Sequence, residues 1–367
     1  MTTRSNTRPA RLEALFRALV AVYSPFGKEE EVLELLETFC GEQGVSHTRQ
    51  PVDGERYNLV LGRPDAPLVF VGHVDTVEAW DLDAVGPRDL GGGRVAGLGT
   101  ADMKGGCAAM LEAYLVLRDR GWGNRLGVAM LVGEEAEGDG AAAFLNSARP
   151  GRVIVGEPTG LTLCAGHYGY VEAAFRAIGR SAHASLPELG ENAAEALLRA
   201  LHDLIGAGGL RGELGAVVNI RHLETGWAGF AVPARARAWV DLHVPPEVSV
   251  QALCRDVERL LTRDGQTTVE VTFPTVHAGY QLPDDDPVVQ AYRAAWGGVP
   301  DIFRSHSDAN LFHAAGIPAY VLGPGHLETA HSEEEHVDLA EIQEAARRYV
   351  ALAEAVLGAE PSGHEHA

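Results

Sequence analysis

Residues 68–75 read LVFVGHVD, a short apolar run that ends in a histidine and an aspartate. A similar run followed by glycine and glutamate recurs at 128–135 (VAMLVGEE) and at 153–157 (VIVGE). Apolar runs of this length, bounded by glycine, predict buried strands. A helical pattern over Gly105–Arg118 separates the first run from the second, and strands that alternate with helices indicate a mainly parallel sheet. The sequence therefore predicts an α/β domain.

The middle of the chain follows a different pattern. Candidate strands and helices there have the order β-α-β-β-α-β, over Tyr170–Ile178, Asn192–Ile205, Val217–Thr225, Ala234–Val244, Val250–Leu261 and Thr267–Phe273. This order is that of a split βαβ module, which forms a self-contained α+β domain. We predict that residues 1–162 and 275–367 form the α/β domain and that residues 163–274 form an inserted second domain.

Composition excludes several classes of partner. The chain has 367 residues, with 30 Lys and Arg against 51 Asp and Glu, for a formal net charge of −21. This charge repels nucleic acid and anionic membranes, so neither is an expected partner. The four cysteines form no C-x-x-C pair and are expected to be reduced. Without a signal-like or membrane-spanning apolar segment, the expected location is the cytoplasm.

Acids and histidines follow the predicted strands at the point where each strand ends. His73 follows the first run, Glu134 and Glu135 the second, and Glu157 the third, while Asp102 precedes the helix at Gly105 and His331 follows a run at 319–322. Carboxyl ends of parallel strands meet at one edge of the sheet, so these side chains are expected to converge. Histidines with carboxylates suit Zn²⁺, Mn²⁺ or Co²⁺, and one carboxylate can bridge two such ions.

The adjacent Glu134 and Glu135 point in different directions if the segment is extended. One of them can then bind metal while the other accepts a proton from the attacking water, as a hydrolase requires. Asp75, two residues after His73, can orient the His73 ring. Other common sites are excluded: the glycines at 91–99 do not follow a strand as G-x-G-x-x-G, and neither a P-loop nor a G-x-S-x-G motif occurs.

The segments GHVDTV (72–77), GLGTADMKGG (97–106), EE (134–135) and GEPT (156–159) occur in an order and spacing that resemble a known family. It is the zinc-dependent aminoacylase, acetylornithine deacetylase, succinyl-diaminopimelate desuccinylase and carboxypeptidase G metallohydrolase family. The resemblance implies a zinc-exopeptidase-like catalytic domain and an inserted ferredoxin-like lid that makes a homodimer. It also implies two Zn²⁺ ions, with Co²⁺ or Mn²⁺ as alternatives, and a cis peptide bond after Asp102.

The resemblance further implies a role for each site residue. One metal would be bound by His73, Asp102 and Glu157, and the other by the bridging Asp102 with Glu135 and His331. Glu134 would be the general base and Asp75 would orient His73. His183, in the lid motif GRSAHAS (179–185), would reach the neighbouring subunit's site and stabilise the oxyanion.

Substrate preference is less well defined by the sequence. The family's Asp-x-Arg motif reads Asp241-Leu242-His243 here, while Arg304, Ser307 and Asn310 resemble its substrate-side loop. We expect an amidohydrolase that cleaves N-acyl amino acids, of the deacetylase or desuccinylase type, with acyl-lysine or acyl-ornithine in amino-acid biosynthesis as candidate substrates. The alternatives are a dipeptidase or carboxypeptidase, a hydrolase that releases lysine or ornithine from a carrier protein, and a silent binding relative.

Overall fold

The computed structural model describes residues 7–79, 81–82, 85–206, 210, 215–226, 229–262 and 269–359. It divides into two compact units. The first comprises 1–165, 282–303 and 307–367, and the second comprises 166–281 and 304–306. The sequence placed the insertion at 163–274. In the structure the last strand of the insertion continues past Pro274 to His277.

The central sheet of the first unit has the strand order β1-β2-β6-β3-β7-β15-β8, with β14 beside β8. Its strands are β1 (His47–Asp53), β2 (Arg56–Gly62), β3 (Leu68–His73), β6 (Leu126–Leu131), β7 (Val153–Val155), β8 (Cys164–His167), β14 (Asp301–Phe303) and β15 (Ala319–Val321). Strands β6, β3, β7 and β15 are parallel. The predicted mainly parallel α/β sheet is confirmed.

Helices cover both faces of this sheet. They are α1 (Pro9–Ala21), α2 (Glu30–Glu42), α3 (Gly105–Asp119), α4 (Asp139–Ser147), α7 (Pro287–Trp296), α8 (Asp308–Ala314) and α9 (Leu339–Ala359). Phe70 of β3 packs in the core with α1, α2, α3 and α9, while Phe144 of α4 contacts Phe312 of α8, with ring centroids 5.9 Å apart. Burial on both sides explains why the parallel strands are uniformly apolar.

A small antiparallel sheet in the first unit contains β4 (Arg88–Gly91), β5 (Arg94–Ala96) and β16 (His336–Asp338), in the order β16-β5-β4. The register pairs His336 with Ala96 and Asp338 with Arg94. This pairing brings the segment that follows β5 next to the segment that precedes β16.

The second unit contains an antiparallel sheet in the order β10-β11-β9-β12. Its elements are β9 (Gly169–Ile178), α5 (Ala193–Gly206), β10 (Val217–Thr225), β11 (Arg235–Val244), α6 (Val250–Thr262), β12 (Val269–His277) and the short β13 (Tyr280–Gln281). Alternate residues of the strands pack with α5 and α6 in a separate core. The predicted β-α-β-β-α-β order is confirmed. The predicted start of the last strand, 267–268, lies outside the described residues.

The two ends of the insertion are neighbours in the chain's first unit. The Leu282 N–H donates to the Ala165 carbonyl over 2.8 Å, so the chain leaves the sheet and returns to it at one place. Within the described ranges, no helix has the length and apolar character needed to cross a bilayer.

Candidate metal centre

The strands deliver their polar side chains to one edge of the sheet. His73 is the last residue of β3, while Glu134 and Glu135 come shortly after β6 and Glu157 shortly after β7. The position directly before His73 is a glycine, Gly72, because a Cβ there would lie 2.7 Å from the Cys107 Sγ. The convergence predicted from the sequence is therefore present in the geometry of the described residues.

Asp102 lies at the centre of this cluster. Its Oδ1 is 3.1 Å from the His73 Nε2, and its Oδ2 is 3.4 Å from the His331 Nε2. The His331 Nε2 is also 2.9 Å from the Glu135 Oε1, and the His73 Nε2 is 3.7 Å from the Glu157 Oε1. Each carboxylate oxygen of Asp102 thus faces one histidine, and each of these histidines lies near one further glutamate.

Two unusual backbone segments present the central ligands. Asp102 lies in the segment Thr100–Lys104 just before α3, where Asp102 and Met103 have non-helical backbone angles, and the Asp102–Met103 peptide bond is cis, as the resemblance implied. His331 has a φ of 56°, a conformation that is uncommon for a residue with a Cβ. A positive φ at a residue other than glycine, as at His331, is found most often at functional sites.

The donor set fits a metal ion. His73, Asp102 and Glu135 offer ligand atoms that lie within 4.8 Å of one another. The Glu157 Oε1 is buried and has no hydrogen-bond partner, although a buried carboxylate oxygen without a partner is costly. A cation held by Glu157 and its neighbours would satisfy this oxygen. Histidine nitrogens with carboxylate oxygens suit Zn²⁺, Co²⁺ or Mn²⁺.

The pKa values reflect the crowding of charge in a buried site. Burial raises the pKa of Glu157 to about 8, and the Asp102 carboxylate adds to this shift. Burial opposes protonation of His331, but its hydrogen bonds with Asp102 and Glu135 raise its pKa to about 11. Burial raises the pKa of Glu134 well above its usual range, with contributions from the charges of Glu157 and Glu135. Protons therefore occupy this site when cations do not.

Glu134 is placed differently from its neighbour Glu135. Its Oε2 is 4.0 Å from the His73 Nε2, whereas Glu135 contacts His331 directly. The two adjacent carboxylates thus approach different histidines, as expected if they point in different directions. A carboxylate with a raised pKa beside a metal site is a strong proton acceptor.

Asp75 has a larger structural role than the sequence indicated. Its carboxylate accepts the backbone N–H of Glu134 at 3.3 Å and that of Glu135 at 2.9 Å. The His73 Nδ1 lies 3.0 Å from the Asp75 carbonyl oxygen and 3.5 Å from its Oδ1. Asp75 therefore fixes the segment that carries both glutamates as well as the His73 ring. No sequence signal pointed to these contacts, since the two segments are about 60 residues apart in the chain.

Four predicted site residues remain: His183, Arg304, Ser307 and Asn310. His183 is exposed on a loop of the second unit. The Ser185 N–H donates to its Nδ1 over 3.2 Å, so the proton of the neutral ring lies on Nε2. Arg304 is in the same unit, with its guanidinium 5.7 Å from the centroid of the Tyr168 ring.

Ser307 and Asn310 form the capping box of α8: the Ser307 Oγ accepts the Ala309 N–H, and the Asn310 Oδ1 accepts the Ser307 N–H. Both residues are buried, so their observed contacts begin a helix. The intervening Asp308, which the sequence analysis did not single out, is 2% exposed and its Oδ1 has no hydrogen-bond partner. Burial raises the pKa of Asp308 to about 7.

Comparison with known proteins agrees with this geometry. The model of Peptidase family M20/M25/M40 matches residues 69–355. The chain belongs to this family. Among relatives, a probable carboxypeptidase of Aspergillus oryzae is 31% identical over 379 residues, covering 93% of this chain and 86% of that protein. The predicted family membership is confirmed, and this M20-family protein is a metal-dependent hydrolase.

Solved structures confirm the fold. A tripeptidase of Staphylococcus aureus superposes with a TM-score of 0.79 at 21% identity, covering 95% of this chain and 99% of the other. An M20 family metallo-carboxypeptidase of Sulfolobus solfataricus superposes with a TM-score of 0.74 at 17% identity, covering 94% of this chain and 99% of the other. The architecture of an α/β domain with an antiparallel insertion is thus shared.

Proposed function

We propose that this M20-family hydrolase is a carboxypeptidase with a dinuclear metal site, which removes the C-terminal amino acid from short peptides. The observation that carries the proposal is the whole-length similarity to the probable carboxypeptidase of Aspergillus oryzae. Asp102 adds support, since each of its oxygens faces a different histidine. This proposal replaces N-acyl amino acids with peptides as the favoured substrates. In both classes the scissile bond is an amide to an amino acid with a free carboxylate.

His73, Asp102 and Glu157 would hold one ion, and Asp102, Glu135 and His331 the other. When bound, Zn²⁺ or a similar ion supplies Lewis-acid polarisation of the scissile carbonyl and of the attacking water. Glu134 accepts the proton of that water on its carboxylate and passes it to the leaving amine. Its raised pKa favours the first of these transfers, the acceptance of the proton. Asp75 holds the Glu134 backbone, and thereby the base, in place.

His183 is proposed to act on the site of a second copy of the chain. Its Nδ1 is occupied by Ser185, which leaves an Nε2–H donor for the oxyanion of the tetrahedral intermediate. This role requires a homodimer formed through the second unit. Mixing Glu134→Gln with His183→Ala subunits tests it: the mixture should regain activity that neither variant has alone. Light scattering that finds only monomers at assay concentrations would contradict this role.

The proposed activity is tested on metal-restored protein with one panel of substrates. The panel contains dipeptides with a blocked N-terminus, the same dipeptides with an amidated C-terminus, free tripeptides, and N-acetyl and N-succinyl amino acids. We expect release of the C-terminal residue from N-blocked dipeptides and no cleavage of the amidated ones. Cleavage that requires a free N-terminus would instead indicate an aminopeptidase. Turnover of N-acyl amino acids alone would restore the deacylase interpretation.

The matched control is Glu134→Gln, which removes the base and keeps the shape of the side chain. We expect metal content equal to that of the wild type, with kcat lower by roughly 10²–10⁴-fold. A variant with wild-type kcat would refute the assignment of the base.

A further inference from the structure

Glu335 is a buried carboxylate with three backbone donors. Its Oε1 accepts the N–H groups of Ala101 at 2.9 Å and of Asp102 at 3.1 Å, and its Oε2 accepts the N–H of Gly99 at 3.1 Å. The residue is only 3% exposed. A buried carboxylate is costly unless hydrogen bonds satisfy its oxygens, and here backbone groups of one short segment do so.

The position of Glu335 in the chain links two ligands of the proposed metal site. It lies four residues after His331 and directly before β16, which pairs with β5. Its own carbonyl accepts the N–H of Gly97 at 3.2 Å, just after β5. The carboxylate thus joins the turn that carries His331 to the turn that carries Asp102, beyond the point where the strand pairing ends.

We infer that Glu335 is a positioning residue that sets the separation of Asp102 and His331, and with it the metal position formed by Asp102, Glu135 and His331. The inference rests on the proposed function, since it concerns that same site. The three N–H donors fix the backbone of Asp102, while the four-residue turn fixes His331. A residue that holds the backbone of a metal ligand acts on the metal ion through that ligand. Removal of such a partner typically weakens metal binding about 10–100-fold.

All three groups that contact Glu335 are N–H donors. The side chain must therefore offer acceptors at both of its terminal atoms, as a carboxylate does. In Glu335→Gln the amide oxygen can keep two of the N–H groups, but the amide nitrogen then faces the third donor. In Glu335→Asp the charge remains, but the side chain is one methylene shorter. Its carboxylate therefore cannot reach the three N–H groups of the Asp102 turn unless the backbone moves. The adjacent Glu334 is exposed, which makes Glu334→Gln a control that removes the same charge at almost the same place.

The test is a titration of the metal-free full-length proteins with Co²⁺, followed by the visible absorption of the ion and by thermal unfolding. We expect Glu334→Gln and the wild type to bind two equivalents alike. We expect Glu335→Gln to bind at least one of the two equivalents about 10–100-fold more weakly than Glu334→Gln does, with an altered absorption band. On a cleaved peptide, kcat should fall while KM changes less than about twofold, because the substrate's own contacts remain.

Equal affinity for both equivalents in Glu335→Gln and Glu334→Gln would overturn the inference. Loss of cooperative unfolding in both Glu335 variants would also overturn it, because Glu335 would then support the domain as a whole. A wild type that binds two equivalents but cleaves no peptide would refute the proposed carboxypeptidase function and leave the comparison of variants valid. A wild type that binds one equivalent would refute the dinuclear proposal and the Glu335 inference together.

Discussion

Replacing Asp75 by asparagine should uncouple the segment that carries the two glutamates from the strand that carries His73. Asp75 is fully buried, and its carboxylate accepts two backbone N–H groups, of Glu134 at 3.3 Å and of Glu135 at 2.9 Å. An asparagine has one oxygen and one NH₂ group, so one donor must lose its acceptor. The shorter bond to Glu135 is expected to persist and the longer bond to Glu134 to break.

The size of the effect follows from the charge and burial of these contacts. A hydrogen bond to a charged group contributes about 1.5–3 kcal/mol, so the free energy of unfolding of the metal-free protein should fall by about 2 kcal/mol. Because the base moves, kcat should fall about 10–100-fold with a smaller change in KM. The experiment compares urea unfolding and steady-state kinetics of Asp75→Asn with those of Glu78→Gln, an exposed control. An unfolding free energy within about 0.5 kcal/mol of the control's would refute this reasoning.

Three further predictions concern proton and charge. His183→Ala should lower kcat about 10²–10³-fold, and a change confined to KM would show that His183 binds substrate instead. Metal binding should release protons and strengthen from pH 6 to 8, because ligation removes the protons held at pH 7 by His331 (pKa about 11) and Glu157 (pKa about 8). Calorimetry that gives the same heat of binding in buffers of different ionisation enthalpy would contradict this release of protons. Burial and the nearby His277 lower the pKa of His306 well below its ordinary value of 6.5, so the unfolded chain binds more protons below that pH and stability should fall as pH drops from 6.5. Urea unfolding at pH 7.5 and 5.5 should show a smaller loss in His306→Gln, and equal losses in both proteins would exclude this cause.

The sequence predicted the elements that place the metal ligands because parallel-sheet geometry leaves few alternatives. An apolar run that ends in His73 or in Glu134 must present these residues at the carboxyl edge of the sheet. Asp102 and His331 lie outside such runs: Asp102 precedes the helix at Gly105 and His331 follows the run at 319–322 after a loop, and the resemblance implied their roles as ligands. The cluster in the structure contains all of these residues.

Contacts between distant segments could not be predicted in the same way. The hairpin β1–β2 was not recognised because residues 47–51 (HTRQP) are polar and mostly exposed, which gives no clear alternation. Ser307 and Asn310 fit the spacing of a capping box, yet the resemblance directed attention to substrate binding. Pro274 suggested a domain boundary, but β12 is an edge strand, where a missing N–H is tolerated.

The hydrogen bond between Leu282 and Ala165 has a consequence for how such a protein can be assembled or redesigned. Both ends of the long insertion are held by the sheet at adjacent positions, so the α/β unit can close without help from the inserted residues. The entropy of closing a loop grows only slowly with its length, so a longer, shorter or foreign module at this junction would change that cost little. The junction is therefore a natural splice point for exchanging lids between related hydrolases while the metal ligands stay in place.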